Sequence, residues 1–117
     1  MRLLLLSVSM RKGLLFSAIS LVWAEIIFAE IFIDVRTSEE YKTASIDNTL
    51  NIEWQDILKI QESVKKDESI YLFCRSGNRS EKAKQLLLDA GYTEVFNIGG
   101  FKDAESFIDN FLSNKQN

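Results

Sequence analysis

The sequence predicts an α/β domain in which a mainly parallel sheet has helices on both of its faces. Two short apolar runs, residues 31–35 (IFIDV) and 69–73 (SIYLF), have the β-branched and aromatic composition of buried parallel strands. Between and after these runs, apolar residues recur at intervals of three and four, as they do along one side of a helix. Strands and helices therefore alternate along the chain, which is the pattern of a parallel sheet with helical crossovers.

The first half of the domain predicts two strands and two helices. The strand at residues 31–35 is followed by Thr37 and Glu40, which have the spacing of a capping box and predict a short helix. Residues 49–52 predict a second, smaller strand. Apolar residues at helical spacing then predict a helix from residue 54 to about residue 66, where lysines suit a helix C-terminus.

The second half predicts two further strands and two further helices. After the strand at residues 69–73, a helix begins near Arg79 and ends at Gly91, since glycine commonly occupies the position after the last helical turn. Residues 95–98 predict the last strand. Residues 101–112 predict the last helix, followed by a frayed tail.

Composition excludes several classes of function. The chain has 117 residues, enough for one domain, and its net charge of −3 argues against nucleic acid as a partner. It has no histidine, which excludes Ser-His-Asp and Cys-His catalysis and most zinc sites. Its single cysteine allows neither an intramolecular disulfide nor a multi-thiolate metal site. We therefore predict no nucleic-acid partner, no metal and no cofactor.

Residues 1–29 have the composition of a secretory signal peptide. The basic pair Arg11 and Lys12 precedes an uncharged apolar stretch, and an alanine at position 24 or 29 offers the small residue of a cleavage site. The uncharged stretch is shorter than the roughly 20 residues of a membrane-spanning helix. We predict a leader at residues 1–29, a single domain at 30–117, and no stable membrane association after cleavage.

The only cysteine lies at the end of a predicted strand, where ligands collect in parallel sheets. A buried cysteine is most often an inert part of a core, but this one precedes a small, doubly basic loop. Loop N–H groups, the following helix N-terminus and two arginines would all favour the thiolate and bind an anion. We therefore predict Cys74 as a nucleophile. The predicted binding loop comprises Arg75, Ser76, Gly77, Asn78, Arg79 and Ser80.

Residues 74–80 (CRSGNRS) resemble the active-site loop of rhodanese-type sulfurtransferases. Residues 33–41, which contain IDVR and then EY, resemble the first motif of that family, and residues 91–101 resemble its closing motif. The resemblance extends from residue 31 to about residue 104. It departs at residues 44–49, where the usual histidine and a glycine are replaced. The short length and the leader look most like single-domain, exported bacterial rhodaneses of the phage-shock type, which implies a periplasmic location.

The resemblance implies a reaction and its partners. The Cys74 thiolate would take the outer sulfur of thiosulfate, release sulfite, and pass the sulfur from a persulfide to cyanide or a thiol. The partners would be a small anionic sulfur donor and a thiol or cyanide acceptor. Asp34 and Arg36 would have a supporting role, with Asp34 bonded to loop backbone and Arg36 paired with Glu39 or Glu40. Whether Arg75 or Arg79 faces the substrate stays open.

Alternative interpretations exist for the loop and for the leader. Related phosphatases use a cysteine and an arginine separated by five residues, whereas four residues separate Cys74 from Arg79, a ring that suits a sulfur atom better. A non-catalytic persulfide carrier would keep the same loop and differ only in its acceptor. The leader could instead be an uncleaved anchor or an amphipathic helix, and Met10 is an alternative start to Met1.

Overall fold

One sheet of four parallel strands organises the domain. The computed structural model describes residues 30–117. The strands are β1 (Glu30–Asp34), β2 (Leu50–Asn51), β3 (Ser69–Phe73) and β4 (Val95–Asn97), in the order β2-β1-β3-β4. The helices are α1 (Ser38–Thr43), α2 (Asn78–Asp89), α3 (Phe101–Lys115) and a 3-10 helix (Trp54–Glu62). Because every pair of neighbouring strands is parallel, the C-terminal ends of the central strands β1 and β3 meet at one edge.

The two faces of the sheet are covered by different helices, as the alternation of side chains along a strand requires. On one face, Ile33 and Leu72 lie in a core with residues of the 3-10 helix and α2. On the other face, Phe32 and Phe73 pack with Ala104 and other residues of α3. The predicted α/β class, with a parallel sheet covered on both faces, is confirmed.

The boundaries of most predicted elements agree with the structure to within one or two residues. The capping box is present, because the Thr37 hydroxyl accepts from the Glu40 N–H while the Glu40 carboxylate accepts from the Thr37 N–H. Gly91 has φ +101° and ends α2 as predicted. The N–H groups of Gly91 and Tyr92 there bond to the carbonyls of Leu88 and Leu87, the pattern of a Schellman motif.

Two predicted elements differ from the structure. The segment at residues 54–66 is a 3-10 helix that ends at Glu62, because its core-facing residues Trp54, Ile57 and Ile60 recur every three positions. Residues 113–115, predicted as a frayed tail, continue helix α3. Phe111 packs on the sheet, and Lys115 pairs with Glu30 and lies over the Phe111 ring, so the last turn is held in place.

The predicted leader at residues 1–29 lies outside the described residues. Within residues 30–117, no helix combines the length and apolar character needed to cross a membrane. The site described below lies at the sheet edge where β1 and β3 end, and it also includes the N-termini of α1 and α2 and the segment after β4.

Candidate active site

Cys74 directly follows β3, and its side chain is fully buried. Its backbone N–H donates to the carbonyl of Gly99 at 3.2 Å, which ties the end of β3 to the segment after β4. Its Sγ accepts a hydrogen bond from the Gly77 N–H at 3.0 Å and lies 3.4 Å from Ser80 Oγ. The sulfur therefore sits inside the turn formed by residues 74–80, here named the cysteine loop.

The cysteine loop leads directly into helix α2. Gly77 has φ +96° and is the N-cap residue, so the chain makes a left-handed turn that glycine adopts without strain. Asn78 is the first helical residue and is exposed, whereas Ser80 is fully buried in the first turn. Three of the predicted loop residues, Ser76, Gly77 and Ser80, thus provide donors to the sulfur at the positive end of a helix.

The surroundings of Cys74 favour the thiolate. Burial raises the pKa of the Cys74 thiol, but a hydrogen bond from the Ser80 hydroxyl lowers it. The backbone N–H groups of Ser80, Ser76 and Gly77 lower it further, and the net result is a pKa below the ordinary value of a thiol. No histidine or other base is needed for this activation.

The segment after β4 supports the cysteine loop through backbone contacts. Ser76 and Gly100 form an antiparallel bridge, and the Phe101 N–H donates to the Arg75 carbonyl at 3.4 Å. A Cβ atom at Gly100 would lie 2.7 Å from the Arg75 carbonyl oxygen, so only glycine permits this approach. Asn97 is also in contact with the loop through its side chain. Asn97 was not predicted as a site residue, although its position at the end of the neighbouring strand β4 is a usable signal.

The two arginines of the cysteine loop have different partners. Arg79 donates two hydrogen bonds to the Glu40 carboxylate, at 2.6 and 3.1 Å, and forms a half-buried ion pair. The Arg75 side chain is exposed and has no ion-pair partner within residues 30–117. The charge of Arg79 is therefore largely compensated, and Arg75 is the loop cation that remains available to a ligand.

The Glu40–Arg79 pair has a measurable signature in acid. The hydrogen bond from Arg79 lowers the pKa of Glu40 from 4.5 to about 2. A lowered pKa in the folded state means that the stabilisation is complete above the ordinary pKa and is lost as the pH falls towards 2. Glu40→Gln should therefore lower the free energy of unfolding at pH 7 by about 1 kcal/mol, and by less at pH 3.

Chemical denaturation at the two pH values measures this difference. Glu39→Gln is the matched control, since Glu39 is an exposed carboxylate in the same helical turn without an ion-pair partner within residues 30–117. Equal losses at pH 7 and pH 3 for Glu40→Gln would contradict the account of the pair.

Asp34 and Arg36 form a separate buried pair at the end of β1. The Arg36 guanidinium donates to both Asp34 oxygens, with a shortest distance of 2.7 Å, and to the carbonyl of Ala44 at 2.6 Å. The predicted pairing of Arg36 with Glu39 or Glu40 is therefore wrong, because Asp34 lies two residues away and is fully buried. As expected, Asp34 also bonds to backbone, accepting from the Arg36 N–H at 3.0 Å.

The Arg36 side chain connects this pair to the cysteine loop. Its guanidinium lies 4.6 Å from the ring centroid of Phe101, whose N–H bonds to Arg75. A shallow cavity of about 370 Å³ adjoins this connection and is lined by Arg36, Glu39, Glu40, Thr43, Ala44 and Arg75. No group of three or more potential metal ligands occurs within residues 30–117. The site thus offers a thiolate, backbone N–H donors and one uncompensated cation.

Comparison with known proteins places these features in a family. The family model described as a rhodanese-like domain matches residues 20–106. The thiosulfate sulfurtransferase PspE of Escherichia coli is 38% identical over 96 residues, which cover 80% of this chain and 90% of PspE. A solved structure of an Escherichia coli rhodanese with anions superposes with a TM-score of 0.59 and 34% identity, covering 64% of this chain and 91% of that one.

A larger relative shows the same likeness over part of its length. The adenylyltransferase and sulfurtransferase UBA4 of Candida albicans is 32% identical over 81 residues, which cover 62% of this chain and 18% of UBA4. The rhodanese-like resemblance of the sequence is therefore confirmed by the family match, by a relative of similar length, and by the superposed fold. On these grounds the chain belongs to the family of rhodanese-like domains, and it is homologous to sulfurtransferases.

Proposed function

We propose that the protein is a thiosulfate sulfurtransferase that carries sulfur as a persulfide on Cys74. The observation that carries this proposal is the position of Sγ, buried in a turn in which it accepts the Gly77 N–H at 3.0 Å. Four residues separate Cys74 from Arg79, so the turn is small and its donors converge on one atom. The homology to PspE, a thiosulfate sulfurtransferase, supports the same reaction class.

The reaction has two steps. In the first, the Cys74 thiolate attacks the outer sulfur of thiosulfate, the S–S bond of the donor breaks, and sulfite leaves with the bonding electrons. The outer sulfur of the resulting persulfide bears negative charge, which the loop N–H groups and the N-terminus of α2 stabilise. In the second step, cyanide or a thiolate attacks that sulfur and the Cys74 thiolate is regenerated.

Within this proposal, Arg75 is the residue that attracts the anionic donor. Arg79 is paired with Glu40, whereas Arg75 is exposed and lines the shallow cavity next to the Arg36 side chain. The related Escherichia coli rhodanese was solved with anions, which agrees with an anionic donor here. The Arg75 guanidinium would bind the sulfonate end of thiosulfate while the outer sulfur faces Cys74.

Replacement of Arg75 tests this role. Arg75→Gln should raise the KM for thiosulfate by about tenfold and change kcat less, because the lost interaction is made equally in the ground and transition states. Arg75→Lys should recover part of the loss. Lys42→Gln, which removes an exposed cation from the end of α1, is the control for net charge and should leave the KM unchanged. An unchanged KM for Arg75→Gln would show that residues other than Arg75 bind the donor.

The reaction class is tested by offering two substrates to one preparation. Thiosulfate with cyanide should give equal amounts of sulfite and thiocyanate, and an aryl phosphate should give little turnover. Strong phosphatase activity without sulfite release would overturn the proposal in favour of a Cys-dependent phosphatase. If the persulfide forms but no small acceptor removes its sulfur, the protein is instead a persulfide carrier.

We also propose that the domain acts in the periplasm after export. The support is the basic, then apolar, composition of residues 1–29. Expression of the whole chain in a bacterium, followed by fractionation and N-terminal sequencing, tests this proposal. A periplasmic product that starts after Ala24 or Ala29 is the expected result, and a full-length cytoplasmic product would contradict it.

A further inference from the structure

The Ser80 hydroxyl is surrounded by more hydrogen-bond acceptors than it has protons. Its Oγ lies 2.8 Å from Asn97 Oδ1, 3.0 Å from the carbonyl oxygen of Gly77, and 3.4 Å from Cys74 Sγ. A hydroxyl group has a single proton to donate. Because Ser80 is fully buried, water does not supply the missing donors, and the three acceptors compete.

The Asn97 amide is fixed in the orientation that makes it a competitor. Its Oδ1 accepts from Ser80 and from the Gly99 N–H at 3.0 Å, and its Nδ2 donates to the Gly77 carbonyl and to the Glu81 carboxylate. All four bonds hold only in this orientation, because a flipped amide would turn its NH2 group towards the Gly99 N–H. Asn97 therefore presents an acceptor to Ser80 at all times.

Two arrangements of the hydroxyl proton follow from this geometry. When Cys74 is a thiol, Ser80 donates to Asn97 and its oxygen can accept the S–H proton. When Cys74 has lost that proton to solvent, Ser80 can turn and donate to the negative sulfur, while Asn97 keeps the bond from Gly99. Hydrogen bonds to ionised groups are stronger than neutral ones, so the second arrangement is favoured only for the thiolate.

We propose that Asn97 is a positioning residue that competes with Cys74 for the single proton of Ser80 and thereby limits the fraction of reactive thiolate. The inference rests on the proposed function, because it concerns the nucleophile of that reaction. Its consequence is that Asn97 acts on Cys74 through Ser80. A purely supporting role for Asn97 would act through the backbone of the cysteine loop instead.

Removing the competitor distinguishes these roles by the sign of its effect. Asn97→Ala should remove the nearest acceptor of the Ser80 proton, so that the thiolate competes only with the neutral Gly77 carbonyl, which also accepts from the Glu81 N–H. The variant should therefore lower the pH midpoint of Cys74 alkylation by iodoacetamide and raise the rate below that midpoint about threefold to tenfold. Loss of loop support would shift the midpoint upwards, because the N–H donors to the sulfur would be less well aimed. Since the chain has one cysteine, the alkylation rate reports on Cys74 alone.

A double variant tests whether the effect passes through Ser80. Ser80→Ala should raise the midpoint, and Asn97→Ala should have no further downward effect in that background. A midpoint that rises or does not move in Asn97→Ala, or an equal downward shift with and without Ser80, would overturn the inference. If Asn97→Ala does not fold, Asn97→Val replaces it, since valine suits a strand end and also has no acceptor.

Asn51→Ala is the matched control. Asn51 ends the other outer strand, and its side chain donates to the backbone carbonyls of Asp34 and Arg36 rather than to the cysteine loop. The alkylation midpoint of Asn51→Ala should therefore equal that of the wild type. Alkylation needs no sulfur transfer, so the two proposals fail separately. If the alkylation midpoints of the variants differ from those expected while thiosulfate still yields a persulfide, only the proposed role of Asn97 is wrong.

Discussion

Replacing Cys74 by serine is expected to lower thiosulfate turnover about a thousandfold or more, because no other side chain in the cysteine loop can form the persulfide. Serine is slightly smaller than cysteine, and its oxygen can accept the Gly77 N–H that now bonds to the sulfur. The variant should therefore fold, with a free energy of unfolding within about 1.5 kcal/mol of the wild type. Steady-state assays of sulfite release and urea denaturation measure the two quantities.

Turnover near the wild-type level in a folded Cys74→Ser protein would contradict the assignment of the nucleophile. A variant that loses both turnover and its folded structure would show that the fold depends on Cys74, which is fully buried in one core cluster with Leu72 and Ala83. The two measurements made on one preparation separate these outcomes.

The second large effect is expected at Gly100. An alanine Cβ there would lie 2.7 Å from the Arg75 carbonyl oxygen, so the cysteine loop or the start of α3 must move. Overpacking of this kind destabilises by about 1 to 3 kcal/mol. A displacement of the loop by about 1 Å would also lower turnover about a hundredfold. Gly100→Ala should therefore lose activity well before it loses its fold.

Gly91→Ala is the control for Gly100→Ala. Gly91 has φ +101° and nothing within 4 Å of an added Cβ, so its replacement strains the backbone by about 1 kcal/mol without any clash. Because Gly91 lies at the far end of α2, turnover should be unchanged. Equal losses of turnover in the two variants would show that general destabilisation, rather than loop displacement, explains the effect.

Local patterns were sufficient to predict most of the fold. The capping box at Thr37 and the glycine at position 91 are determined by neighbours within four or five residues, and both occur as predicted. The 3-10 helix was predicted as an ordinary helix because the pattern had been matched to the usual period of 3.6. Its core-facing residues instead recur every three positions, from Trp54 to Ile60.

The site was predictable where it is local and not where it depends on contacts between distant segments. The cysteine loop is one continuous run of the sequence, so it could be identified without knowledge of distant contacts. The pairing of Glu40 with Arg79 joins positions 39 residues apart, and no local pattern indicates it. The contact between Asn97 and Ser80 joins the end of β4 to helix α2 in the same way, and no local pattern indicates it either. These long-range contacts determine which arginine is available and how the thiol is tuned.

The mass of the intact protein after incubation with thiosulfate shows whether Cys74 carries sulfur. A persulfide on Cys74 would add about 32 Da, one sulfur atom, to the wild type. The adduct should be absent from Cys74→Ser and should disappear from the wild type on addition of cyanide. A wild-type protein that releases sulfite without gaining this mass, or that keeps the adduct after Cys74 is replaced, would contradict a persulfide on Cys74.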